Sequence, residues 1–148
     1  MITLLIAALL SGQDYNDPAN RCANPMNGVD VSACMEMLLN AETQRMDRYL
    51  AAAGATLEGR KSASGDDLAA ALAQSQTKWR AYADGACGLA GEVSGPNSGQ
   101  DCWMALTRER THSLWAHFLV SGDGPALLDE PEPLMVDAAP EPADEAGE

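Results

Sequence analysis

The stretch "SQTKWRAYADGAC", residues 75–87, decides how this chain reads. Gln76, Trp79, Tyr82 and Ala83 follow one another at steps of three and four, the spacing that places side chains on one face of an α-helix. Leu68, Leu72 and Ala86 extend the same stripe. A helix is therefore predicted from near Asp66, whose charge suits the positive end of the helix dipole, to about Cys87. The side read as buried carries a glutamine and two large aromatics, and the stripe stops at a cysteine. Such a face could wall an active site, stack nucleotides, or form the seam of a small stapled helical domain. The rest of the chain selects the third.

A chain of 148 residues holds one main domain. Hydrophobic residues make up 46 %, but alanine supplies much of that, and there are only three Trp, three Tyr and one Phe. Such a body buries little area per residue, and small cores of this kind need covalent staples. Cys22, Cys34, Cys87 and Cys102 are an even set and argue for two disulfides. Zinc binding would need tight pairs such as C-x-x-C, whereas the closest spacings here leave 11 and 14 residues between cysteines.

The opening residues 1–13, "MITLLIAALLSGQ", fit an export signal with small Ser11 and Gly12 before a cut at Gln13. Its nine apolar residues, 2–10, are too few to span a hydrocarbon core, which takes about 20. No Lys or Arg precedes them, so a buried first helix is the competing reading. Gln13 stands where a lipoprotein cleavage box would have cysteine, which argues against a lipid anchor. Residues 1–12 are thus expected to be removed, with no stable membrane insertion afterwards.

Net charge is −13, unevenly spread. Residues 123–148 hold nine acidic side chains and no Lys or Arg, while the body before them has 13 acidic against 9 basic residues, a net charge of −4. Both parts would repel a polyanion, because nucleic-acid affinity rests on neutralising phosphates. Nucleotide stacking on Trp79 and Tyr82 is excluded on that ground. The acidic, Pro-rich run 123–148 has little to bury beyond residues 134–136 and reads as a disordered tail.

Two further helices complete the body, residues 13–122. Met35, Leu38, Leu39, Met46, Tyr49 and Leu50 predict a helix over residues 31–53 with Gly54 as its stop, after an irregular lead-in at 13–30. Cys102, Leu106, Arg110, Leu114 and Phe118 predict another over 100–120. Residues 88–99, "GLAGEVSGPNSG", read as a loop between helices. The expected fold is all-α, a three-helix bundle or hairpin stapled by two disulfides.

Nothing in this frame suggests catalysis. His112 and His117 are five residues apart and point about 140° away from each other on a helix, so they cannot share a metal. No nucleophile elbow or phosphate-binding glycine loop occurs. Asp66 and Asp67 are explained by a helix start, and a cysteine nucleophile would require one of the four to be unpaired. No catalytic residue, cofactor or metal is expected.

If the second and third helices form an antiparallel hairpin, a Cys87–Cys102 bond fixes their register and leaves Cys22–Cys34 to pin the lead-in. Pairing of Cys34 with Cys87 stays open, since both should lie at one end of the bundle. Trp79 precedes Cys87 by eight residues and Arg110 follows Cys102 by eight, so both stand about 12 Å from the bridge. Arg110 interrupts an apolar stripe and needs partners. Stacking on Trp79, the carbonyl of Gln76 or the carboxylate of Asp84 would serve, although Asp84 can also pair with Arg80. Gln76, Trp79 and Arg110 are thus read as a structural polar seam.

"QTKWRAYADGAC" resembles the Q-x-x-W-x-x-[YF]-R-D-x-x-C signature of the LprI-type lysozyme inhibitor N-terminal domain. "CWMALTRERTHSL" is similar to that family's closing C-x-x-x-L-T-x-x-R-x-x-x-L segment, and "CANPMNGVDVSACMEMLLNAETQRMDRYL" to its opening one, ending at Tyr49. The matching positions are Gln76, Trp79, Tyr82, Asp84, Leu106, Thr107, Arg110 and Leu114, all read as structural, with Ala83 where the family has Arg. The resemblance implies a periplasmic or secreted helical binding domain whose protein partner is a cationic lysozyme. The segments 14–30 and 88–99 are the candidate contact regions. The alternative is a structural adaptor of the cell envelope that recruits partners through its acidic tail.

Overall fold

The structure, a computed structural model, describes Cys22, residues 25–120 and residues 125–132. The chain divides into two compact units, Met1–Cys34 with Val136–Glu148, and Met35–Met135. Three helices carry the described residues: α1 Gly28–Leu57, α2 Leu68–Ser94 and α3 Pro96–Leu114, the last running into a π-helical turn, Trp115–Leu119. Outside them the only regular pairing among the described residues is one isolated bridge, Lys61 to Asp67. The export segment 1–12 and the Leu134–Val136 stretch lie outside the described residues.

In the first unit, Asn27 caps α1. Its Oδ1 accepts from the backbone N–H groups of Val29 and Asp30 at 2.9 and 3.0 Å, and the Asp30 carboxylate accepts from Met26 N at 3.0 Å. This reciprocal arrangement satisfies donors that a helix start leaves free, so α1 begins at Gly28 rather than at Val31. Cys22 is bonded to Cys34 within the same unit.

In the second unit α1 continues past Gly54. Met46, Tyr49, Ala53 and Leu57 are buried at steps of three and four, and burial of Leu57 outweighs the roughly 1 kcal/mol that a mid-helix glycine costs. The stop is Gly59, at φ +70°, with Arg60 N bonded to Leu57 O at 3.1 Å. Asp67 caps α2, its Oδ1 accepting from Ala70 N at 3.0 Å. That bond, helped by Lys61, holds the Asp67 carboxyl below its ordinary pKa.

The expected loop at 88–99 does not exist. Helix α2 runs to Ser94, Gly95 alone turns the corner at φ +98°, and Pro96 opens α3. Proline at the first helical position has no N–H to leave unpaired, and glycine tolerates the corner's backbone angles. The helices almost touch there: a Cβ on Gly99 would lie 3.1 Å from Cys87 O and 3.4 Å from Gly91 Cα. Cys87–Cys102 closes the hairpin two turns below the corner, with Cα atoms 5.3 Å apart. All four cysteines are paired as expected, which leaves no thiol for a nucleophile.

Further from the corner lies the main core of Met46, Tyr49, Ala53, Leu57, Leu72, Leu114 and Leu119, with Trp79, Trp115 and Phe118 against it. Residues 125–132, the described part of the expected tail 123–148, are laid over this core. Leu127 N bonds to Leu119 O at 2.9 Å, Trp115 Nε1 to Leu128 O at 3.0 Å and Tyr49 Oη to Asp129 O at 2.6 Å. Leu128 packs on the cluster and Pro131 is buried.

Candidate functional site

The seam anticipated around Arg110 is built mainly from Gln76. Arg110 Nε donates to Gln76 Oε1 at 2.9 Å, and Nη2 donates to Ser75 Oγ at 3.3 Å. Gln76, buried, turns its Nε2 toward Met46 Sδ at 3.7 Å, so one amide links α3 through α2 to α1. Trp79 does not stack on the guanidinium. It meets Trp103 edge-on, with ring centroids 6.1 Å apart and planes at 78°. Trp103 follows Cys102 directly, so the staple sets this aromatic pair as well.

The remaining motif residues separate into two kinds. Leu114 and Thr107 are fully buried, Leu106 is half-buried, and Thr111 Oγ1 bonds back to Thr107 O at 2.8 Å. Ala83, where the family pattern has arginine, is wholly buried. Asp84 and Tyr82 face outward, and Tyr82 is 62 % exposed, so it is not part of the buried stripe. Arg80 pairs with Asp47 of α1 at 2.9 Å instead of with Asp84.

A second buried polar cluster centres on a charge within an apolar stripe. Glu42 sits on the apolar stripe of α1, one turn before Met46, with its side chain fully enclosed. It accepts from Arg45 Nη2 at 2.5 Å and from Arg108 Nε at 2.8 Å. Arg45 Nη1 in turn donates to Glu132 O. A charge breaking an apolar stripe requires partners, as at Arg110, and here the partners reach from α1 to α3 and to the return segment.

These charged and polar residues are occupied with holding the domain together. What α2 offers outward is a stripe of Tyr82, Leu89 and Val93, exposed by 62, 61 and 76 %, at positions i, i+7 and i+11 of one helix face. Glu92, also exposed, lies at its side. Among the described residues no group of three His, Cys, Asp or Glu could hold a metal ion, and no helix is long and apolar enough to cross a membrane.

The fold and its two bridges define a small all-α, disulfide-stapled domain of the kind that persists outside the cytoplasm. The family model for the lysozyme inhibitor LprI matches residues 22–114, well over half of the sequence, and the chain belongs to that family. No curated protein and no solved structure matches it.

Proposed function

We propose that this protein is an exported, non-catalytic binding module, periplasmic or secreted, that inhibits a cationic lysozyme by occluding its cleft. Membership of a lysozyme-inhibitor family is the observation that carries this reading. The net charge of −13 supports it, since an acidic surface speeds encounter with a basic glycosidase and disfavours nucleic acid. With residues 88–94 and 96–99 helical, the contact surface we infer is the outward face of α2. Tyr82 is the kind of residue that anchors an interface, with Leu89 and Val93 as apolar neighbours and Glu92 as an acidic residue at its edge. Tyr82 matches the family motif but is not buried, so core packing does not explain it.

The test is a lysis assay with oxidised, purified protein and a basic lysozyme of animal type. Inhibition that saturates near one inhibitor per enzyme and weakens as salt screens the charges supports the reading. Undiminished lysis at large molar excess removes it.

A further inference from the structure

The end of α1, the start of α2, α3 and the π-helical turn border an open hollow of about 480 Å³, a size in the range of small-ligand sites. Leu57, Leu72 and Phe118 form its apolar surface, and Arg60 and Arg110 reach it. A second hollow of about 410 Å³ shares Leu57, Arg60, His117 and Phe118 and reaches Leu127, so the two adjoin as a groove.

The chain has 22 acidic and only 9 basic residues, so arginines have carboxylates in plenty. Arg45, Lys61, Arg80 and Arg108 each pair with one. Arg60 and Arg110, the two arginines at the groove, which His117 also lines, meet none among the described residues. Arg60 has a single 3.5 Å contact to Thr56 O, and Arg110 has only the neutral Gln76 and Ser75. Partial burial draws the Arg110 guanidinium's pKa below its ordinary value. The carboxylates at the start of α2 are committed elsewhere: Asp67 caps α2 and pairs with Lys61, and Asp66 accepts from Ser64 at 2.6 Å.

We propose that this groove binds a single-chain amphiphile with an anionic head, the chain lying along Leu57, Leu72 and Phe118 and the head facing Arg60 and Arg110. A guanidinium pair suits a carboxylate or a phosphate, and both heads occur on single acyl chains. A neutral or cationic head of equal chain length lacks this complement. The groove lies beside Ser75 and Phe118, whereas the inhibitory face proposed above begins at Tyr82, so the two readings stand or fall separately.

The experiment is calorimetric titration of the oxidised full chain with dodecanoate below its micellar concentration, beside lauroyl lysophosphatidic acid, dodecanol and dodecyltrimethylammonium. Two variants at exposed positions serve as controls: Arg60→Gln removes one cation, and Ala71→Phe fills the hollow that Ala71 lines. Their thermal melts confirm that they are folded. Saturable one-to-one binding of dodecanoate, weakened about tenfold in Arg60→Gln and lost in Ala71→Phe, supports the proposal. Binding of the lysophosphatidic acid alone, with the same response to both variants, supports it with a phosphate as the head. The proposal is overturned if neither anion binds, if dodecanol or the ammonium binds as tightly, or if Ala71→Phe binds as well as the parent.

Discussion

Gln76 Oε1 accepts the Nε–H of Arg110 at 2.9 Å in the interior of the hairpin, and the same amide faces Met46 of α1. This side-chain bond ties α3 to α2 at the edge of the apolar core, on the side facing the disulfide. Both partners are constrained: Gln76 is buried, and Arg110 stands in a run of otherwise apolar positions.

Arg110→Met should lower stability by about 1–3 kcal/mol, because the Gln76 carbonyl is left buried without a donor. Adding Gln76→Leu should recover part of the loss, since replacing both partners removes the orphaned group. Urea denaturation of the single and double variants gives the coupling. An unchanged midpoint for Arg110→Met would refute the seam.

Two glycines should respond in opposite directions. Gly99→Ala places a methyl 3.1 Å from Cys87 O and must push the helices apart at their corner, costing about 1–3 kcal/mol. Gly54→Ala meets nothing within 4 Å inside α1 and should stabilise by about 0.5–1 kcal/mol. Thermal melts of both variants test the contrast.

Replacing Cys87 and Cys102 together by alanine opens a loop whose ends are 15 residues apart and should cost about 3 kcal/mol. Trp103 follows one of these cysteines and packs on Trp79, so near-UV circular dichroism should weaken along with the melting temperature. Non-reducing peptide mapping of the parent should recover Cys22–Cys34 and Cys87–Cys102 and no other pairing.

Asp67 gives a pH-dependent contribution of known sign. Its folded pKa lies below the ordinary value of 3.8, so the contribution is complete above that value and is lost as the pH falls through the folded pKa. Asp67→Asn keeps a capping oxygen but removes the titration. The gap in melting temperature between parent and variant should therefore be constant at neutral pH and shrink below about pH 4.

Much of this architecture was legible because it rests on side-chain spacing. The stripes of α1, α2 and α3 and an even set of cysteines specify three helices and two staples, and an arginine among apolar residues announces that it has a partner. The corner was not legible. Gly88, Gly91, Pro96 and Gly99 are loop formers by propensity, but the glycines permit close helix contact and proline is compatible with a helix start. Nor was the return segment legible, since residues 128, 129 and 132 are held through their backbone carbonyls, which every residue type offers. Tyr82 misled for a related reason: its spacing suits the stripe, but it sits at the stripe's edge and turns outward.

The proposed function requires the outward face of α2 to engage a lysozyme. Its direct measurement is inhibition of a basic lysozyme by the oxidised parent and by Tyr82→Ala, titrated side by side, with melting temperatures recorded for both. The parent should inhibit at one-to-one stoichiometry, and Tyr82→Ala should weaken inhibition by tenfold or more at an unchanged melting temperature. Full lysis in the presence of excess parent, or equal inhibition by the variant, would contradict it.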